Sequence, residues 1–440
     1  MGLTPQAVYG AAAFFVVGGI LWRHKVQDAP ERWRPRIDLG TVLLSVGLSA
    51  IPVAQTVSNA TIPRPWDFPI FYTAAVAASQ GSSFYDPAAL AETFAEVEQT
   101  WDVPSDWLVE VGFWYPPPTA LYLAPLGFLS FPVAVIINGI IQSVFFVASI
   151  ALLHRFYPLR AGPMGFVEMA VLGLLFRPVL SAFRLSQIVF GALLLLVIAT
   201  TTLARSSWLG GLVLGVGTIF KPVLLIPAVL ALSIQRWRLA VGALLGLVAS
   251  AVTAAFIFGF DVFEEFLAHG PADRTAQLAL HPVIQSLNSE LRRIFQAEPS
   301  GPGAIRTILY PPYLIAAALL TLITIVLMWK TSKADRWMVP SFALGSLLAL
   351  IVYPNTLYNT LPLMLPALIA MAHQSDDLGI PPRVTVAVIA TVYGLIGIDS
   401  RLGFIGLMVG WTAVAAAILR ALRRAQPILG MPLERGSVGR

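Results

Sequence analysis

Apolar runs of roughly span length recur along the whole chain, separated by short polar or basic breaks. A bilayer core about 30 Å thick takes about 20 helical residues to cross, so such runs predict transmembrane helices. Read this way, spans fall near 5–22, 39–57, 132–153, 163–180, 185–203, 207–219, 222–235, 239–258, 311–329, 337–353, 357–373, 384–398 and 402–420. Several are short, as helices broken around a buried cavity are. The runs lack the short alternating pattern of barrel strands. The pattern predicts an all-α polytopic transmembrane bundle of about 12–13 spans. It forms one integral-membrane domain over residues 1–440.

The breaks sort by charge. Segment 116–130 carries prolines at 116, 117, 118 and 125. If it dips into the membrane and returns, the loops obey the positive-inside rule. Arg23, His24, Lys25, Arg32, Arg155, Arg160, Arg205, Arg236, Lys333, Arg383 and the basic tail from Arg420 then share the cytoplasmic side. The N-terminus lies outside and the C-terminus inside. Two long loops, 58–115 and 259–310, face outward. The first is acidic and reads as helical over Pro87–Gln99.

Composition narrows the picture. The chain is 57% hydrophobic and only 12% charged, against about 25% charged for a soluble domain. The net charge of +5 sits in loops, where it reports topology rather than nucleic-acid binding. Cysteine is absent, which excludes thiolate chemistry and disulfides. The first apolar segment lacks a basic leader and a small-residue cleavage site, so it reads as a retained span.

Candidate chemistry lies on the outer side. Asp67, among aromatics and prolines at a membrane surface, is a candidate general base. The alternative is a cap for the helix beginning near Pro69. Lys221, between two apolar segments and before Pro222, is either a functional intramembrane cation or a snorkelling helix-end lysine. Arg184 and Gln187 precede another span, as a polar site or as interfacial anchors. Arg177, Arg292, Arg293, Arg306 and Arg401 add cations that break the charge trend. Such a cluster suits a phosphate or pyrophosphate group. Aromatics such as Phe71, Tyr72, Trp107 and Trp114 suit a carbohydrate as well as an interfacial belt. The first outer loop has no Asp-x-Asp pair, and the chain has no Walker loop, GxSxG or HExxH. No metal site is therefore expected.

Several pieces, taken in order, carry a family resemblance. They are Asp67-Phe68-Pro69-Ile70-Phe71-Tyr72, Gly81 to Asp86, Phe113-Trp114-Tyr115-Pro116-Pro117, Gln187, Gly211 to Pro222 with Arg236-Trp237-Arg238, and Gln285-Ser286-Leu287-Asn288 with Arg292. Over about 40–370 the chain resembles GT-C membrane glycosyltransferases, specifically the bacterial, mycobacterial-mannosyltransferase-like group of glycosyltransferase family eighty-seven. Relatives often carry a Trp/His-rich motif after a late span; here Tyr353 to Asn359 has no histidine.

The resemblance implies an inverting transferase of the cytoplasmic membrane, with its site on the outer face. It would move a sugar, mannose by family default, from a polyprenyl phosphate to a glycolipid or glycan, without a cofactor. It implies Asp67 as catalytic base, and Lys221, Arg184, Gln187 and Arg292 on the donor phosphate. Tyr72, Tyr115, Gln285, Asn288, Asn355 and Tyr358 would bind substrate. The rival is a flippase for lipid-linked saccharides, which would use the same cations without covalent chemistry. No inverted repeat is evident for it.

Overall fold

The computed structural model describes residues 4–25, 34–61, 67–101, 112–202, 207–269, 280–281, 283–297, 310–331 and 338–429. Arg32, Trp107, Arg205, Arg306, Lys333, and 102–111, 270–279 and 298–309 of the two loops lie outside them. The described residues form helices α1 (Pro5–Lys25), α2 (Arg34–Thr61), α3 (Phe68–Gln80), α4 (Pro87–Trp101), α5 (Thr119–Leu123), α6 (Phe131–Phe156), α7 (Pro163–Leu175), α8 (Arg177–Arg184), α9 (Val189–Thr202) and α10 (Ser207–Gly217). They continue with α11 (Leu225–Leu230), α12 (Trp237–Phe258), α13 (Asp261–His269), α14 (Leu287–Ile294), α15 (Pro311–Thr331), α16 (Met338–Val352), α17 (Leu365–Gln374), α18 (Pro382–Ile398) and α19 (Gly403–Leu429). Among them the nearest thing to a sheet is one antiparallel bridge, Ile284 to Leu357.

The all-α class is as the sequence pattern predicts, but the spans are unequal. Helices α1, α2, α6, α12 and α15 and the stretch Ser400–Arg424 are long and apolar enough to cross a membrane. The bent pair α7–α8, turned by 69°, makes a seventh. The other predicted spans are short helices or helices broken by proline. Pro222 opens a 3-10 turn before α11, and Pro362 sits in the 3-10 segment Tyr358–Met364 before α17. A proline removes a ladder hydrogen bond and favours such breaks. Segment 116–130 holds α5 and a five-residue 3-10 turn, Ala124–Phe128, too short to span.

This inequality organises the molecule. The long helices leave apolar side chains exposed, among them Val46, Val53, Ile140, Phe256 and Ile315. A wide exposed apolar surface is what lipid covers. Several short helices are buried instead, and every residue of α16 from Pro340 to Ile351 is buried. Close packing inside relies on small residues. A Cβ on Gly211 or Gly215 of α10 would lie 2.0 Å from the Leu239 or Ala243 carbonyl of α12. A Cβ on Gly242 or Gly246 of α12 would likewise lie 2.5 or 2.3 Å from the Trp208 or Leu212 carbonyl of α10. Two small-xxx-small faces thus lock together.

Charged residues from several breaks come together in one cluster. Arg23 and Arg160 each pair with both Asp38 and the buried Glu168, which also bonds His24. Lys25 pairs with Asp376 across the bundle. These basic residues are among those that the charge pattern places on a single face. The residues around Asp67 form a separate group.

Candidate active site

Each polar side chain here is aimed by a local irregularity. Asp67 occupies the residue before α3, yet its carboxylate makes no capping bond. It accepts hydrogen bonds from Gln187 Nε2 and from Asn359 Nδ2, the latter at 3.3 Å. The capping alternative is thereby replaced.

Gln187 is aimed by a strained turn. Ser186 adopts φ +48°, rare for a residue with a side chain. Asn59 of α2 donates to the Arg184 carbonyl and the Ser186 hydroxyl at 2.9 and 3.1 Å, and Asn138 of α6 donates to the Ser186 carbonyl at 3.0 Å. Both asparagines are buried. The surroundings over-determine the strained residue, as such conformations require.

Lys221 follows α10 in extended backbone, and Pro222 bars helix continuation. Its amide bonds the Gly217 carbonyl at 3.1 Å. Thr119 of α5 anchors the neighbouring Ile219 carbonyl at 2.6 Å. The side chain is buried, 6% exposed, so it does not snorkel to water. Its Nζ donates to Tyr115 Oη at 2.6 Å and to Gln187 Oε1 at 3.4 Å. Tyr115 Oη donates in turn to Gln187 Oε1 at 3.3 Å. A continuous chain therefore runs from Lys221 through Tyr115 and Gln187 to Asp67. Tyr85 holds Tyr115 in place by donating to its carbonyl at 2.5 Å.

Two cavities meet at this chain. The larger, about 740 Å³, is lined by Asp67, Gln187, Arg177, Arg184, Tyr358 and Asn359, and reaches Gln6 and Tyr9 of α1. The smaller, about 320 Å³, is lined by Lys221, Asn355 and mostly apolar groups such as Leu247, Phe263 and Phe266. Trp114, Tyr115 and Leu357 line both.

Burial pushes the Asp67 carboxyl above the usual carboxylate range, against the opposing pull of Gln187, Lys221 and Asn359. Burial pulls the Lys221 ammonium down to about 8, with Asp67 opposing. The Tyr115 hydroxyl is held well above its ordinary value, by burial first and by Asp67 and Tyr353 after it. A carboxylate with raised basicity beside a cation and a network of donors can remove a proton and bind an anion.

The remaining expected site residues are used inside the fold. Tyr72 donates to the Leu129 carbonyl at 2.7 Å, within a ring cluster with Phe68 and Phe131. Gln285 Oε1 accepts from the Phe404 amide at 2.6 Å. Arg292 donates to Asn288 Oδ1 at 3.2 Å and covers the Tyr310 ring at 4.5 Å. These four residues line neither cavity. Arg184 lines the Asp67 cavity, apart from Lys221. Asn359, Arg177 and Gln55 also line the larger cavity, and sequence reasoning left them out of the substrate-contact set. Asn359 closes the Tyr353–Asn359 motif, so its signal was present, one residue past Tyr358.

The model of glycosyltransferase family 87 matches residues 113–354, more than half of the 440. The chain belongs to glycosyltransferase family 87. No match was found among curated proteins or solved structures. The matched stretch of this glycosyltransferase contains Tyr115, Gln187 and Lys221 but ends before Asn359 and begins after Asp67. The structure supplies what the match omits: α3 and the 3-10 segment Tyr358–Met364 bring Asp67 and Asn359 onto the matched core.

Proposed function

We propose that this glycosyltransferase moves a sugar, mannose in the simplest reading, from a polyprenyl phosphate to a hydroxyl of a glycolipid or glycan at the outer face of the cytoplasmic membrane. The observation that carries the proposal is the division of labour between the cavities. The base candidate opens on the larger one and the phosphate-binding candidate on the smaller. In an in-line displacement the nucleophile and the leaving group occupy opposite sides of the reacting carbon.

The acceptor hydroxyl enters beside Asp67, which takes its proton. The acceptor oxygen bonds to the anomeric carbon as the bond from that carbon to the phosphate oxygen breaks. The electron pair leaves with the polyprenyl phosphate, whose charge Lys221 stabilises. The anomeric configuration inverts. The apolar walls of the smaller cavity suit the start of a prenyl chain. Tyr115, at the junction, stands where the sugar ring would pack. In this proposal Lys221, rather than a divalent metal, meets the charge of the leaving phosphate.

The test is turnover by purified protein with a panel of radiolabelled decaprenyl-phosphate sugars and a bacterial lipid extract as acceptor. The proposal expects one labelled, inverted glycolipid, formed equally well in excess EDTA. Flipping of the donor across vesicles with no labelled product would overturn it in favour of a transporter.

A further inference from the structure

Asn359 and Gln55 line the larger cavity, and among the described residues the carbonyl oxygen of each, Asn359 Oδ1 and Gln55 Oε1, is buried without a hydrogen-bond partner. A buried polar atom left unpaired carries a desolvation cost, so each calls for a donor from outside the fold. Asn359 is the more informative. It is 2% exposed, and its Nδ2 is committed to Asp67. Rotating the amide would not relieve it, because the oxygen would then face the carboxylate. The free oxygen therefore belongs to the same planar group that holds the base.

A carbonyl oxygen can only accept. The complementary ligand carries hydroxyls. Because Asn359 joins its free oxygen to Asp67 through one amide, hydroxyls on adjacent carbons can engage both at once. Gln55, on α2, lines the same cavity, and its Oε1 is a second unpaired acceptor.

Resting on the transferase reading above, we infer that Asn359 and Gln55 form a polyol subsite in which the acceptor presents a vicinal diol, one hydroxyl to Asp67 and its neighbour to Asn359 Oδ1. Asn359 thus chooses which hydroxyl is glycosylated. It is a positioning residue with two functions: its nitrogen orients the base and its oxygen registers the acceptor. Its segment lies beyond the family-matched stretch but is anchored to residues within it. The Tyr358 amide donates to the Val283 carbonyl at 2.8 Å, and the Gln285 amide to the Thr356 carbonyl at 2.5 Å. The second long loop therefore fixes the segment that carries Asn359.

The experiment measures transfer from a decaprenyl-phosphate sugar to octyl mannoside and to its four monodeoxy analogues. Wild type is expected to lose about 10-fold or more in kcat/KM with the analogue lacking the hydroxyl next to the glycosylated one, the range for a site left with an unpaired polar group. In Asn359→Ala the same analogue and the parent should become equivalent. The acid limb of that variant's pH profile should also move to higher pH, because Asp67 has lost a donor. Wild type indifferent to every deoxygenation beyond the glycosylated position would overturn the inference without recourse to a variant. So would equal discrimination by wild type and Asn359→Ala, while leaving the transferase reading intact. A wild-type protein that transfers to no acceptor, lipid extract included, would instead overturn the transferase reading and the subsite with it.

Discussion

Lys221 and Asp67 are opposite charges kept out of water, and each shifts the other toward its charged form. Catalysis as proposed needs Asp67 ionised and Lys221 protonated. Lowering the pH protonates Asp67, and its raised value brings that loss on at a higher pH than for an exposed carboxylate. Raising the pH through about 8 neutralises Lys221. The kcat/KM profile for the donor should be bell-shaped, with its alkaline limb near 8. A flat profile from pH 5 to 10 would contradict the assignment of both groups. Lys221→Ala should weaken donor use by about 1.5–3 kcal/mol, roughly 10- to 150-fold, the worth of a charged hydrogen bond. Lys221→Arg should recover part of it, since charge survives and geometry changes. Initial rates against donor concentration check both. Equal donor dependence in wild type and Lys221→Ala would remove the phosphate role.

At the scale of elements, the site depends on places where helices stop. Proline 222, the strained Ser186 turn and the 3-10 segment Tyr358–Met364 each end or distort a helix and turn a polar side chain inward. The glycine-locked pair α10–α12 sets where α10 delivers Lys221. Gly215→Leu would place its side chain against the Ala243 carbonyl and force the pair apart. Overpacking of this kind costs about 1–3 kcal/mol. The variant should show a lower Tm in detergent and reduced turnover, whereas Gly47→Leu, whose site has open space, should show neither. Lys221 and Gln187 were legible in the sequence because an ionisable or amide group between apolar runs has few explanations. The Asp67 contacts were not, since Gln187 and Asn359 lie 120 and 292 residues away. Gln285 and Arg292 were expected on the substrate and here bond within the fold, because a polar motif on a loop looks the same in sequence in either setting.

At the scale of the whole molecule, the helical membrane class was plain from the apolar runs alone. Span number was not, because an apolar stretch reads alike whether it faces lipid or protein. Burial separates the two: α16 is as apolar as any span yet lies inside the bundle. By the positive-inside rule the ion-pair cluster of Arg23, Asp38, Arg160 and Glu168 is expected in the cytoplasm and the Asp67 site outside. A cysteine at Glu96, exposed on α4, should react with an impermeant thiol reagent in intact cells. A cysteine at Asp377, exposed beside the partner of Lys25, should react only after lysis. The chain has no other cysteine to confuse the readout. The reverse labelling would place the site in the cytoplasm.

The central claim is that Asp67 removes the acceptor proton in a sugar transfer. Asp67→Asn keeps the shape and removes the basicity. Turnover of a radiolabelled polyprenyl-phosphate sugar by wild type and Asp67→Asn, with donor binding measured on the same preparations, tests the claim most directly. The account predicts a fall of about 10²–10⁴-fold in turnover, the contribution of a general base, with donor binding retained. Near-wild-type turnover by Asp67→Asn would contradict it.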